Sequence, residues 1–359
     1  MLIYKLRIFF FIKMERLKFI DCLRGMSMLF VVYHHIIMFG MYDSIDGSIY
    51  SSPINEIIVT VRMPLFFFVS GFVSARLSRE WNWHTINSKI TKKTQGQLIP
   101  TVVMFMLCMF MYNLNIFDWI YDPLKGGYWF TWVSFQIFVI WVFLSFFIRN
   151  TNSLYYTSGL LSISLVMLYI GYHIPLTNKI VCFLSFNYTL RFFIFFIIGT
   201  VCKFNYGTIC RFINNRYCVS ILFVIALIPS IYHIENQYLK TLFSIIRILC
   251  CFAIFQKLDV FSRSNILSNT LSYIGKHTLE IYLLHFFILF KVDSLALWLH
   301  SFSTDYCYRG HSCVFIPEIL SIGILTLIIS FTCIGIRKVI DVFPIISTMM
   351  FGPQKNRTI

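Results

Sequence analysis

Ten stretches of this chain are nearly free of charge and long enough to cross a bilayer: residues 23–41, 54–75, 97–114, 128–148, 153–174, 189–205, 217–232, 240–257, 271–292 and 315–336. In lipid every backbone N–H and C=O must be bonded within its own segment, so an apolar run of about 20 residues reads as a transmembrane helix. The runs predict an all-α, polytopic integral membrane protein with about ten transmembrane helices and the lipid bilayer as its first partner. Only 13% of the residues are charged and 58% are hydrophobic, whereas a soluble domain carries about a quarter charged residues. A water-soluble enzyme is excluded. No internal repeat and no low-complexity linker divides the chain.

The net charge of +15 would point to nucleic acid in a soluble protein, but here its distribution sets topology. With the N-terminus in the cytoplasm, 20 of the 30 basic residues fall in cytoplasmic segments and five (Lys125, Lys179, Lys240, Lys291, Arg309) in the outer loops. That asymmetry places both termini inside, and no nucleic-acid partner is expected. The eleven cysteines include no CxxC pair, so neither a zinc ribbon nor a thioredoxin-like site is expected, and no metal is assigned. Cys307 and Cys313 share one outer loop, where an oxidising compartment would favour a disulfide. Met14-Glu15-Arg16 reads as a natural start. The expected organisation is a leader or misassigned start at 1–13, a membrane domain at 14–345 and a cytoplasmic tail at 346–359.

Charges inside spans are costly, and they mark function. Arg24 and His35 are eleven residues apart, which at 100° per residue is only about 20° past three turns, so they share a face. His34 is rotated about 100° away from His35. Asp21, one turn before Arg24, can pair with it. His35, Arg62, Arg247 and His285 all fall at similar depth in the outer half of their spans, and Arg191 and Tyr128-Trp129 begin helices near the same level. A polar cavity holding histidines and arginines can do acyl chemistry. A neutral histidine takes the proton from an alcohol, and an arginine stabilises the oxyanion formed on attack at an acyl carbonyl. Proton-coupled transport would favour carboxylates in the spans, and only Glu280 lies deep in one.

Four segments resemble the acyltransferase-3 family of integral membrane O-acyltransferases. They are Leu23-Arg24-Gly25-Met26 leading to Tyr33-His34-His35; Arg62-Met63-Pro64 through Ser70-Gly71-Phe72; Tyr128-Trp129-Phe130; and Gly275-Lys276-His277 through Leu284-His285. The resemblance spans most of 14–345. It implies transfer of an acyl group, usually acetyl from acetyl-CoA, to a hydroxyl of a surface carbohydrate, with Arg24 and His35 at the family's essential arginine and histidine. The family often carries an arginine before the proline that opens the third helix, where this chain has Gln95-Gly96-Gln97.

The reading that follows is a bacterial inner-membrane O-acetyltransferase acting on a surface polysaccharide or its lipid-linked precursor, with acetyl-CoA as donor and no permanently bound cofactor. His35 is the base, Arg24, Arg62 and His285 complete the catalytic set, and Arg24 with Lys89, Lys92 and Lys93 of a basic loop at 76–93 holds the coenzyme phosphates. Ser70 is a possible acyl carrier, although serine beside glycine more often marks close helix packing. The rival class is a transporter of glycan or acyl intermediates, and a third is a membrane scaffold without chemistry.

Overall fold

The computed structural model describes residues 17–41, 52–75, 82–113, 115–147, 153–232, 234–301, 307–308, 311–312 and 315–353. The 1–13 segment and the Cys307–Cys313 pairing lie outside them. The described chain is helical apart from turns and a two-residue ladder that pairs Cys307–Tyr308 with His311–Ser312. In chain order the principal helices are α1 (Lys18–His35), α2 (Pro53–Ser74), α3 (Trp83–Lys93), α4 (Ile99–Met111), α5 (Trp129–Phe147), α6 (Ser153–His173), α7 (Phe186–Phe204), α8 (Tyr206–Asn214), α9 (Arg216–Ile231), α10 (Gln237–Lys257), α11 (Ile266–Lys276), α12 (Thr278–Ile288), α13 (Asp293–Ser301), α14 (Phe315–Ile340) and α15 (Pro344–Phe351).

Seven of these units are long and apolar enough to cross a membrane, and nine if each of two sharply bent pairs counts as one span. The protein is therefore a polytopic helical membrane protein, with a range of seven to nine where the apolar runs suggest about ten. The bent pairs are α8 with α9, at 86°, and α12 with α13, at 96°. Helix α6 is 21 residues long but is diluted by Thr157, Ser158, Gly159, Ser162 and Ser164.

Two boundaries depart from the sequence reading. The third span begins at Trp83, because α3 runs through a π-turn at Thr94–Leu98 directly into α4. The expected basic loop is thus largely helical, and Lys89, Lys92 and Lys93 sit on the helix. Asn82 starts it by accepting a hydrogen bond from the Thr85 amide at 2.7 Å, an N-cap that outweighs the cost of three lysines in the following turns. The expected tail contains α15, whose Phe351 is buried beneath the Arg337 guanidinium, 4.2 Å from the ring centre.

Two reciprocal glycine crossings hold the centre of the bundle. A Cβ on Gly25 would meet Leu271 O at 2.0 Å, and one on Gly275 would meet Asp21 O at 2.0 Å. Likewise Gly71 lies against Phe196 O and Gly199 against Phe68 O, at 1.9 and 2.0 Å. At both crossings, α1 on α11 and α2 on α7, the backbones touch, which is how helices associate in lipid where the hydrophobic effect does not pull them together. Around them pack Phe67, Phe68, Phe72, Trp141, Phe193 and Phe252, all buried.

Candidate active site

His35 is the last residue of α1 before the chain widens into a π-turn over Ile36–Gly40. Such turns often occur at functional sites. Its Nδ1 lies 2.7 Å from Nε2 of His285 on α12, and the two rings are parallel within 5°. Nδ1 of His285 lies 3.0 Å from the Ile281 carbonyl, which can only accept. The neutral chain of bonds therefore has one polarity. His285 donates from Nδ1 to Ile281 O, its bare Nε2 accepts from Nδ1–H of His35, and Nε2 of His35 is left with its lone pair. That lone pair faces Arg62 on α2, whose Nη1 is 3.4 Å away.

The pair is dry on one side. The Phe286 ring lies 4.9 Å from His35 and 4.1 Å from His285, and Phe39 meets His35 edge-on at 5.6 Å. Nε of Arg62 is buried without a hydrogen-bond partner among the described residues. An unbonded guanidinium N–H in such a place is costly and is open to an acceptor that enters the site. His34, the neighbouring histidine, is half-buried and bonded to Asn55 Oδ1 at 2.9 Å.

Below the histidines a cavity of about 200 Å³ is lined by Arg24 of α1, Phe66 and Ser70 of α2, Lys93 of α3, Gln97, Phe130, Thr131 and Ser134 of α5, and Thr278, Leu279 and Tyr282 of α12. Arg24 and Lys93 supply its cations. Along α1, Arg24 is about 16 Å from His35. Its lining residue Tyr282 stands 6.0 Å, ring to ring, from His285, so one side chain separates the cavity from the histidine pair. Gly126 (φ +55°) and Gly127 (φ +97°) turn the backbone before α5, which lets Gly127 O accept from the Tyr282 hydroxyl at 2.5 Å while the Phe130 amide donates to it at 3.2 Å. Tyr128 in turn donates to Leu283 O at 3.1 Å. The aromatic segment is thereby locked to α12.

Of the residues singled out in the sequence, His35, Arg62 and His285 come together, and Arg24, Lys93 and Ser70 share the cavity. Lys89 and Lys92 do not line it, and Lys92 is exposed on the far face of α3. Arg247 reaches α2 by donating to Thr60 Oγ1 at 2.5 Å, two residues before Arg62, and also donates to Ala226 O at 3.0 Å. Arg191 packs elsewhere, on the Tyr172 ring at 4.3 Å. Sequence reasoning did not single out Gln97 or Tyr282 for a role. Gln97, standing where an arginine was expected nearby, donates to Thr131 O at 2.7 Å and ties α5 to the π-turn. Its only signal was that departure from the pattern.

An apolar helical bundle that buries a bonded histidine pair beside an arginine with an open donor, with a polar cavity one ring away, has the parts needed for proton transfer beside a developing negative charge. Over residues 17–335 the chain matches the family model of acyltransferase domains, Acyl_transf_3. It belongs to that family, and is a membrane acyltransferase. No curated protein and no solved structure matches it significantly.

Proposed function

We propose that the protein is an O-acetyltransferase of a bacterial inner membrane, carrying acetyl from acetyl-CoA to a hydroxyl of a surface polysaccharide or its lipid-linked precursor. The observation that carries this reading is the pair of His35 and His285, whose bonding leaves the His35 Nε2 lone pair beside Arg62. The cavity that holds Arg24 is one ring away, at Tyr282. His35 takes the proton of the acceptor hydroxyl at Nε2. The oxygen attacks the thioester carbonyl, and the oxyanion is met by the Arg62 guanidinium. Collapse expels the coenzyme thiolate, which recovers the proton from His35, so an alcohol and a thioester become an ester and a thiol. Protonation of His35 at Nε2 turns that face from acceptor to donor and frees Arg62 for the oxyanion.

Arg24 and Lys93 suit the coenzyme phosphates, and the narrow cavity between them and Tyr282 suits a pantetheine arm. The count of basic residues puts that end toward the cytoplasm, where acetyl-CoA is found. Purified protein given acetyl-CoA and a glycan should release free CoA only when the glycan is present, and should form an ester on it. His35→Ala should lower the rate by 10²- to 10⁴-fold, the usual contribution of a general base, while His34→Ala retains most activity. Equal loss in the two variants, or CoA release with no glycan ester, refutes the reading. A transporter would release no CoA.

A further inference from the structure

A second recess lies at the end of the bundle that holds the histidines, away from their cavity. It is an open groove of about 540 Å³ lined by Tyr172, His173, Glu235, Asn236, Gln237 and Tyr238, where the end of α6 meets the start of α10. Its position follows from Arg247. That residue bonds Thr60 near the start of α2, and Tyr238 lies nine residues, about 14 Å, further along α10 in the direction of its N-terminus.

The walls are a frame of aromatic faces with polar groups between them. The Tyr172 and Tyr238 rings meet edge-on at 5.1 Å, and His173 packs at a tilt against the exposed Tyr169 at 4.4 Å. Tyr172 is held rigidly, its hydroxyl bonded to Thr241 Oγ1 at 2.5 Å and to Gln237 O at 3.2 Å. Tyr238 is 40% exposed, and its hydroxyl lies 3.4 Å from His173 Nδ1. An exposed tyrosine ring set among a carboxylate and carboxamides suits a ligand that is flat and apolar on one face and rich in hydroxyls at its rim. A pyranose has that form.

The groove is also connected to the catalytic centre. Arg191 stacks on Tyr172, and the adjoining Phe192 and the nearby Tyr188 lie 5.3 and 4.9 Å from Trp129. Trp129 adjoins Tyr128 and Phe130, the residues locked to α12 beside Tyr282. Tyr172, Tyr188, Arg191, Phe192 and Trp129 are partly exposed, whereas Tyr128, Phe130 and Tyr282 are buried, so a surface runs from the groove as far as Trp129, the residue next to the core of the site.

We propose that the groove between the end of α6 and the start of α10 is a saccharide-binding subsite that holds an acceptor glycan some sugar units away from the hydroxyl being acylated. This deepens the proposed function and rests on its assignment of a carbohydrate acceptor. Length of the acceptor then matters: a longer glycan reaches both groove and site, and a simple glycoside reaches only the site.

The test uses the full chain in detergent and neutral hexasaccharides of glucose, galactose and N-acetylglucosamine as probes. Saturation-transfer NMR should detect binding of at least one, weakened about five- to tenfold in Tyr238→Ala and in Glu235→Gln, neither of which lies in the catalytic machinery. In turnover with acetyl-CoA, the KM for that hexasaccharide should rise by the same factor at unchanged kcat, with the KM for the matching methyl glycoside unmoved. Binding of none of the three, or hexasaccharide binding and KM unchanged in both variants, overturns the subsite. If the wild type transfers acetyl to no saccharide while binding remains Tyr238-dependent, the carbohydrate-acceptor assignment fails and the subsite stands.

Discussion

Replacing His285 tests the polarity of the histidine pair. In the wild type, Nε2 of His285 accepts from His35 at 2.7 Å and its Nδ1 donates to Ile281 O at 3.0 Å. His285→Ala leaves Nδ1–H of His35 buried and unbonded and removes the group that holds the ring square to Arg62. A buried donor without a partner costs about 1–3 kcal/mol. Each 1.36 kcal/mol of barrier is tenfold in rate, so if that cost falls on the transition state kcat should drop by about fivefold to somewhat over a hundredfold. His35→Ala removes the base itself and should cost 10²- to 10⁴-fold. His285→Gln, whose carbonyl oxygen can still accept, should recover part of the loss. The assay is the initial rate of CoA release with a saturating acceptor, with melting temperature in detergent as the control for folding. The expected order is wild type, His285→Gln, His285→Ala, His35→Ala. A His285→Ala enzyme as active as wild type would refute the tautomer argument, and one less active than His35→Ala would make His285 the base.

Three further outcomes are expected. Arg24→Ala should raise the KM for acetyl-CoA about tenfold or more, since hydrogen bonds to charged groups contribute about 1.5–3 kcal/mol, while the acceptor KM stays within about twofold; equal shifts in both would remove Arg24 from the donor side. Gly199→Ala drives a methyl to 2.0 Å from Phe68 O and should lower stability by about 1–3 kcal/mol, read as a drop in melting temperature that Gly207→Ala, with open space around its Cβ, does not produce. Burial pushes the Lys125 ammonium from 10.5 down to about 8 despite Asp122 nearby; between those values the unfolded chain holds more protons, so stability should rise with pH, and the melting-temperature gap between wild type and Lys125→Met should grow from about pH 7.5 to about pH 9.5. A gap that stays flat would contradict that burial.

The helical phase of Arg24 and His35 was legible because α1 is regular from Lys18 to His35 and its π-turn begins only afterwards. Depth along α2 and α12 likewise needed only the rise per residue, and it brought Arg62 and His285 to His35. Rotation was not legible for Arg191 and Arg247, whose directions are set by Tyr172 and Thr60, partners far away in sequence. The start of the third span was hidden because three lysines within four turns look like a loop. Lys93 keeps its ammonium 5.3 Å from the Phe138 ring, and the exposed Lys92 keeps its charge off the core, so the helix tolerates them. The break at His277 falls at Gly275-Lys276-His277, polar residues inside a run otherwise long enough to read as one span. The 96° bend after α12 follows the apolar stretch 286–290 without a proline or glycine to mark it.

The glycine crossings explain why functional residues adjoin glycines in two of the motifs. In Arg24-Gly25 and Ser70-Gly71 the glycine brings two backbones into contact, at 2.0 and 1.9 Å from the position a Cβ would take. A side chain one residue away is about 100° around the helix, so it cannot enter that contact and is turned to its flank. For Arg24 and Ser70 that flank is the same cavity. Under the proposed function a small residue suits that position, because a longer side chain would fill the cavity assigned to the pantetheine arm. Ser70→Ala should therefore leave the rate nearly unchanged, and Ser70→Leu should raise the KM for acetyl-CoA with the protein still folded. Covalent labelling of Ser70 by acetyl-CoA alone would assign it the acyl-carrier role instead and overturn direct transfer.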